Sequence, residues 1–146
     1  MDVEIINKAF NLTLYGFSGT AVNKNYGETG FRLMNKMWET VRAKNLKNKG
    51  MNIWVYGSNE EVFAGVEPDP VTQTDTGMEV KQVSLAKYAY YKHIGPYSGL
   101  AQAYAKMRAY LAINNLKAVS PGLEIYGHWN QDESKLETEI LMGLGL

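Results

Sequence analysis

Two carboxylates near the end of the chain, Glu124 and Glu139, lie in segments whose pattern limits the direction in which a charged side chain can point. Each falls in a predicted strand, LEIYGHW at 123–129 and LETEILMGL at 136–144, in which successive side chains face opposite sides of a sheet. One side must pack on helices, where carboxylates are disfavoured. We therefore expect both glutamates to point into a groove or into solvent.

Aromatic side chains accompany these carboxylates. Trp54 and Tyr56 alternate in the predicted strand WVYG, Tyr126 lies two residues after Glu124, and Tyr97 follows a Gly-Pro turn. A carboxylate among aromatic rings neutralises an organic cation while the π faces cover it, each cation–π contact contributing about 0.5–2 kcal/mol. The pattern favours a site for flat cationic or aromatic compounds. Its alternative is a set of solvated glutamates on an exposed sheet face, with the tyrosines packed in the core.

The elements that must position these residues follow the order strand, helix, strand, strand, and that order occurs twice. Apolar alternation predicts the strands, and apolar residues at helical spacing predict the helices. The first set is a strand at 11–18, a helix at 29–47 and a hairpin of strands at 52–57 and 62–66. The second set is a long strand at 78–95 interrupted near 84–87, a helix that begins after Ser98 as N-cap, and the strands at 123–129 and 136–144.

A shift of 70 residues aligns the two sets, since it places the segment 54–57 on 124–127. One β-α-β-β unit cannot cover its own sheet, so two units should join about a pseudo-two-fold axis. We predict an α+β fold in which tandem β-α-β-β modules, about 1–70 and 78–146 of a single domain 1–146, form an antiparallel sheet with two main helices and a central ligand groove. In that groove, the pair Trp54 and Tyr56 would oppose the pair Glu124 and Tyr126.

The segments WVYG, GMEVKQVSLAKYAYYKHIGPY, LEIYGHW and LETEILMGL resemble the GyrI-like family, also called the bacterial transcription activator effector-binding domain. Within it, the chain is similar to the stand-alone integron-associated effector-binding proteins. The resemblance covers nearly the whole chain and implies a central pocket that binds lipophilic cations through a buried glutamate. That glutamate falls on Glu124, and a second pocket carboxylate falls on Glu139. The pocket tyrosines fall on Tyr56, Tyr97 and, less closely, Tyr26.

Trp38 lies on the core stripe of the first predicted helix. We predict that it packs mainly in the core, with an edge large enough to line the groove.

Three functions remain open. The first is stand-alone binding of small, flat, amphipathic or cationic compounds, linked to transcription regulation. The second is hydrolysis of cyclopropane-bearing electrophilic genotoxins, with the pocket glutamate as general base. The third is a protein-interaction inhibitor of the gyrase-inhibitor type, which would need an unknown protein partner. Regulators in this family carry a helix-turn-helix domain, and we expect none in these residues.

Composition argues against several other classes of function. Fifteen basic and fifteen acidic residues give zero net charge, so we expect no direct binding to nucleic acid or to a membrane surface. The chain has no cysteine, and its two histidines, His93 and His128, form no metal-ligand spacing, so we expect no metal and no cofactor. No segment is typical of a signal peptide or a membrane span, and we expect a cytoplasmic protein.

Overall fold

The computed structural model describes residues 3–69 and 76–145. Over these ranges the chain forms eight strands and two α-helices, which confirms the predicted α+β class. The strands and helices in chain order are β1 Glu4–Ile6, β2 Phe10–Thr20, α1 Tyr26–Lys44, β3 Ile53–Tyr56, β4 Glu61–Val66, β5 Glu79–Leu85, β6 Tyr88–Ile94, α2 Leu100–Ile113, β7 Ala118–Tyr126 and β8 Glu137–Leu144. Neither helix is long and apolar enough to cross a bilayer, and the same holds for every helix in the described ranges.

All the strands belong to one antiparallel sheet in the order β1-β6-β8-β7-β3-β4-β2-β5. Reading outward from the central pair β7 and β3, the order is β7-β8-β6 on one side and β3-β4-β2 on the other. The outer strands are exchanged, because β1 precedes β2 in the chain but pairs with β6, and β5 precedes β6 but pairs with β2. Each half of the sheet is therefore completed by a strand from the other.

The central strand pair sets which side chains meet across the middle of the sheet. Trp54 lies opposite Glu124, as predicted, whereas Tyr56 lies opposite Gly122 rather than Tyr126. On the other flank of β7, Ile140 lies opposite Glu124. Since directly opposite residues share a face, Trp54, Glu124 and Ile140 point to the same side of the sheet.

Both helices pack on that side. The buried stripe of α1, with Leu33 and Met37, covers the strands β2 and β4, and the stripe of α2, with Met107, packs on β6 and on Ile140. The central strands β3 and β7 lie between the two helices. A groove therefore runs along the middle of the sheet, with one helix on each side.

The opposite face of the sheet has its own core cluster, which includes the fully buried Phe63 and Leu123. Among residues 3–69 and 76–145, no helix covers this cluster; the sheet instead curls around it. Phe10 on β2 and Tyr88 on β6 belong to strands near opposite ends of the sheet, yet their rings meet edge-on with centroids 5.8 Å apart. The short connection from β5 to β6, two residues long, requires the same curvature.

Local chemistry explains where the predicted elements differ from the observed ones. Helix α1 begins three residues before the predicted position and ends at Lys44, because the next residue, Asn45, has a left-handed backbone (φ 51°, ψ 49°), which is a common helix terminator. The predicted N-cap Ser98 is wrong: Ser98 lies in a 3₁₀ turn, where the Gly99 N–H bonds the Pro96 carbonyl, and α2 follows without a side-chain cap. The predicted interruption near 84–87 is confirmed by the break between β5 and β6. The segment 69–77, between the strands predicted at 62–66 and 78–95, lies partly outside the described residues.

Candidate functional site

Glu124 is a buried carboxylate held by three tyrosine hydroxyls. Its side chain is 5% exposed. The Tyr56 hydroxyl donates to Oε1 at 2.8 Å, the Tyr104 hydroxyl donates to Oε2 at 2.5 Å, and the Tyr126 hydroxyl also donates to Oε1. Burying a carboxylate without partners is costly, and a hydrogen bond to a charged group contributes about 1.5–3 kcal/mol. Three donors, from β3, α2 and β7, thus make the buried carboxylate tolerable.

Glu124 has no ion-pair partner among the residues that the structure describes, although the guanidinium of Arg108 lies 6.0 Å from the ring of its partner Tyr104. The ion pairs in the described parts of the chain join other residues, such as Lys49 with Glu67 and Lys92 with Glu137, and none involves Glu124. Burial first, and then the negative charge of Glu124, raise the pKa values of Tyr56, Tyr104 and Tyr126 above the ordinary phenol range. The three phenols are therefore protonated donors at neutral pH.

A cavity of about 640 Å³ opens over Glu124 in the groove between the helices. This volume is within the range of about 300–1,000 Å³ that is common for small-molecule sites. Aromatic and apolar side chains form most of the wall. The lining residues are Gly27, Phe31 and Met34 from α1, Leu100 from α2, and Gly50, Asn52, Trp54, Tyr56, Tyr97, Glu124, Tyr126, Gly127, His128 and Trp129.

The wall rings pack against one another edge to face. Tyr126 meets Trp54 at a centroid distance of 5.5 Å and Tyr97 at 5.6 Å, and Phe31 meets Trp54 at 5.8 Å. Such pairs contribute roughly 0.5–1.5 kcal/mol beyond the area they bury. Helix α1 comes close to the wall at Gly30, where an added Cβ would lie 2.2 Å from the Trp54 ring. The wall is thus built around Trp54 and Tyr126, while Phe31, Tyr97 and Trp129 stay exposed at the mouth.

The cavity brings together most of the residues that the sequence singled out: Trp54, Tyr56, Tyr97, Glu124 and Tyr126. Two others lie behind its wall. Tyr26 packs edge-on against Tyr56 at 5.5 Å, and Trp38 packs in the α1 cluster, with its indole N–H donating to Asn52 Oδ1 at 2.5 Å.

Glu139 does not join them. It lies opposite Ile125, which places it on the sheet face away from the helices, where it accepts a hydrogen bond from the Tyr90 hydroxyl at 2.6 Å. It lines a separate cavity of about 360 Å³. The expectation that the two carboxylates share one groove is wrong, because the pairing of β8 with β7 sets Ile140 beside Glu124. The expectation that carboxylates avoid the helix face also fails for Glu124, since the helices leave the central strands uncovered.

Several site residues were missed from the sequence. The most important is Tyr104, which reads as one more member of the apolar stripe of α2. The hydroxyl of Tyr104 was the only feature of the sequence that indicated a polar partner for this residue. Asn52, Phe31, Met34 and Leu100 gave no signal, because small polar and apolar residues at such positions are common.

The turn before Tyr97 is held by His93. Its Nε2–H donates to the Pro96 carbonyl at 2.8 Å.

Comparison with known proteins gives a family match. A sequence profile of the GyrI-like small molecule binding domain matches residues 1–144. A search of curated protein sequences finds no match to the chain. The profile covers both the helices and all the strands described above, and it agrees with the resemblance inferred from the sequence.

Solved structures share the fold at low sequence identity. The EcmrR C-terminal domain superposes with a TM-score of 0.72 at 18% identity, covering 99% of both chains. SAV2435 bound to tetraphenylphosphonium gives 0.64 at 16% identity, covering 99% of this chain and 94% of the other. An integron cassette protein from the mobile metagenome of Vibrio cholerae gives 0.57 at 16% identity, covering 99% and 96%. At such identities the likeness establishes the fold alone.

Proposed function

The chain belongs to the GyrI-like small-molecule-binding family, and on that premise we propose that it binds flat, amphipathic organic cations in the cavity between its two helices. The observation that carries the proposal is the Glu124 carboxylate, buried beneath an aromatic cavity and without a basic partner among the described residues. A bound cation supplies the missing countercharge. The tetraphenylphosphonium complex of SAV2435 supports this ligand class.

The energetics favour charged ligands over neutral ones of the same shape. The three tyrosine hydroxyls solvate Glu124 when the cavity is empty. A cation in the cavity adds a charge interaction strengthened by the low local dielectric, together with cation–π contacts of about 0.5–2 kcal/mol each. A neutral analogue gains only the apolar contacts, and an anion is repelled.

The proposal is tested with two ions of nearly the same shape and opposite charge, tetraphenylphosphonium and tetraphenylborate. The fluorescence of Trp54, in the cavity wall, should be quenched saturably by the phosphonium. The borate should bind at least roughly 10-fold more weakly, a difference of about 1.4 kcal/mol.

Two matched variants locate the charge that matters. Glu124→Gln keeps the side-chain shape and should lower phosphonium affinity roughly 10-fold or more, because a buried charge pair is lost. Glu139→Gln, on the opposite face of the sheet, should leave it unchanged. Equal binding of the two ions, or an equal effect of the two variants, would refute the proposal.

A further inference from the structure

A second polar side chain lies on the floor of the same cavity. Asn52 precedes β3 by one residue, and the Tyr126 N–H donates to the main-chain carbonyl of Asn52 at 2.9 Å. Because Trp54 lies opposite Glu124 on the same pair of strands, Asn52 is a diagonal neighbour of Glu124. Diagonal neighbours in an antiparallel pair are roughly 7–8 Å apart. The backbones of these two polar residues are thus separated by about the length of a substituted benzene ring.

The hydrogen bond from Trp38 fixes which end of the Asn52 amide is available. An indole N–H is a donor only, so the atom facing it at 2.5 Å must be the amide oxygen. The NH₂ group is the other end of the same amide. Within the described parts of the chain, no group accepts a hydrogen bond from Asn52 Nδ2. Two donor hydrogens are therefore left without a protein acceptor at a residue that lines the cavity.

The neighbouring residues keep this corner of the cavity narrow. Gly50 adopts φ +86°, and an added Cβ there would lie 3.2 Å from His128 Cε1. Gly50, Asn52 and His128 all line the cavity. A ligand group in this corner is therefore close to the amide.

We infer that Asn52, oriented by Trp38, donates a hydrogen bond to the ligand, so that the preferred ligand is a flat cation carrying an acceptor such as a carbonyl roughly 7 Å from its charge. This inference rests on the proposed function, since Glu124 fixes the cationic end. It adds a polar requirement: an acceptor group in the Asn52 corner raises affinity. An apolar group of the same size leaves the amide hydrogens unpaired.

Two small cations of matched shape test the inference, 4-acetylphenyl-trimethylammonium and 4-isopropylphenyl-trimethylammonium. The acetyl compound has a carbonyl oxygen, which is an acceptor, where the isopropyl compound has a methyl group and a hydrogen. Isothermal titration calorimetry of wild type and Asn52→Leu gives the ratio of their affinities. The leucine has a similar volume and no donor. We expect the ratio of acetyl to isopropyl affinity to fall about 3- to 10-fold in Asn52→Leu, the range of one net hydrogen bond, with isopropyl affinity not reduced.

A second variant gives an independent readout. Trp38→Phe removes the donor that fixes the amide, so Asn52 is free to present its oxygen to the cavity. The affinity ratio should fall in this variant also, by a smaller factor. An unchanged ratio in whichever of the two variants folds overturns the inference.

The remaining outcomes separate the inference from the proposed function. If both compounds bind through Glu124, as judged by Glu124→Gln, and Asn52→Leu leaves their ratio unchanged, the inference fails and the proposed function stands. If tetraphenylphosphonium binds and neither small cation does, the inferred ligand class is wrong. If no cation binds at all, the proposed function fails and the inference fails with it.

Discussion

At the scale of single residues, the cavity depends on one carboxylate and on the hydroxyls that solvate it. Tyr56, Tyr104 and Tyr126 each donate to Glu124, and each comes from a different element. Their rings then bring apolar surface close to the charge. A carboxylate held in this way lines the cavity although the residue is only 5% exposed.

Removing one of these donors should cost stability. Tyr104→Phe leaves Glu124 Oε2 without its hydrogen bond, so we expect the free energy of unfolding to fall by about 1–3 kcal/mol in urea denaturation. The matched control is Tyr110→Phe on the same helix, with an expected change within about 0.5 kcal/mol. Similar losses in the two variants would show that the Tyr104 hydroxyl has no special role.

Stability should also fall in alkaline solution. Burial and Glu124 raise the pKa of Tyr104 above its ordinary value of 10.0, so the folded protein keeps a proton that the unfolded chain loses. The stabilisation is complete below pH 10 and decreases as pH rises above that value, by up to about 1.4 kcal/mol per pH unit for each such tyrosine. Between pH 9 and 11, the free energy of unfolding measured by urea denaturation should fall less steeply with pH for Tyr104→Phe than for wild type. Equal slopes would contradict this account.

The alternation of side chains along a strand predicted those cavity residues whose face does not depend on how two strands pair. Trp54, Glu124 and Tyr126 follow from the pattern of their own strands. Glu139 does not, because its face depends on how β8 pairs with β7, and a shift of one residue moves a side chain to the other face. Tyr104 was missed because its partner, Glu124, is 20 residues away on another element.

At the scale of elements, the closeness of α1 to the sheet sets the shape of the wall. A Cβ at Gly30 would lie 2.2 Å from Trp54 Cζ3, so the helix packs directly on the indole. Gly30→Ala should therefore lower the free energy of unfolding by about 1–3 kcal/mol, despite the better helix propensity of alanine. Thermal or urea denaturation measures this change.

The control for that variant is Gly27→Ala on the same helix, where nothing lies within 4 Å of an added Cβ. Its stability should not fall. If Gly30→Ala is as stable as Gly27→Ala, the contact with Trp54 is looser than described.

Element types were predictable because buried apolar residues recur at helical spacing in both helices and form a short run in the central strand β3. Element ends were not, since they depend on single backbone conformations such as the left-handed Asn45. The sequence also did not predict that β1 and β5 each pair with a strand of the other half of the sheet. Residues 78–95 were predicted as one strand interrupted near 84–87, and only the tertiary structure shows that its two parts pair near opposite ends of the sheet.

At the scale of the whole molecule, a cation bound between the helices should stabilise the fold. Tetraphenylphosphonium at 100 times its dissociation constant should add about 2.7 kcal/mol to the free energy of unfolding. For a chain of this size, that corresponds to a rise in melting temperature of roughly 5–10 °C. Tetraphenylborate at the same concentration is the control and should give a rise at most about half as large, because a 10-fold weaker ligand adds no more than about 1.4 kcal/mol. Equal shifts with both ions would contradict charge recognition.

The hydrolase and gyrase-inhibitor alternatives stay predictions, as does the absence of direct DNA binding expected from zero net charge. A hydrolase would use the same Glu124 as a base, so turnover of a cyclopropane-bearing electrophile, lost in Glu124→Gln, would establish it. An inhibitor would act through its surface and would be insensitive to that substitution.

The most direct test of the central claim is a crystal structure of the protein with tetraphenylarsonium, whose arsenic atom is located by its anomalous scattering. We predict an arsenic peak in the cavity between α1 and α2, on the helix side of the sheet, closer to Glu124 than to Glu139. A peak in the smaller cavity beside Glu139, with the cavity over Glu124 empty, would contradict the account.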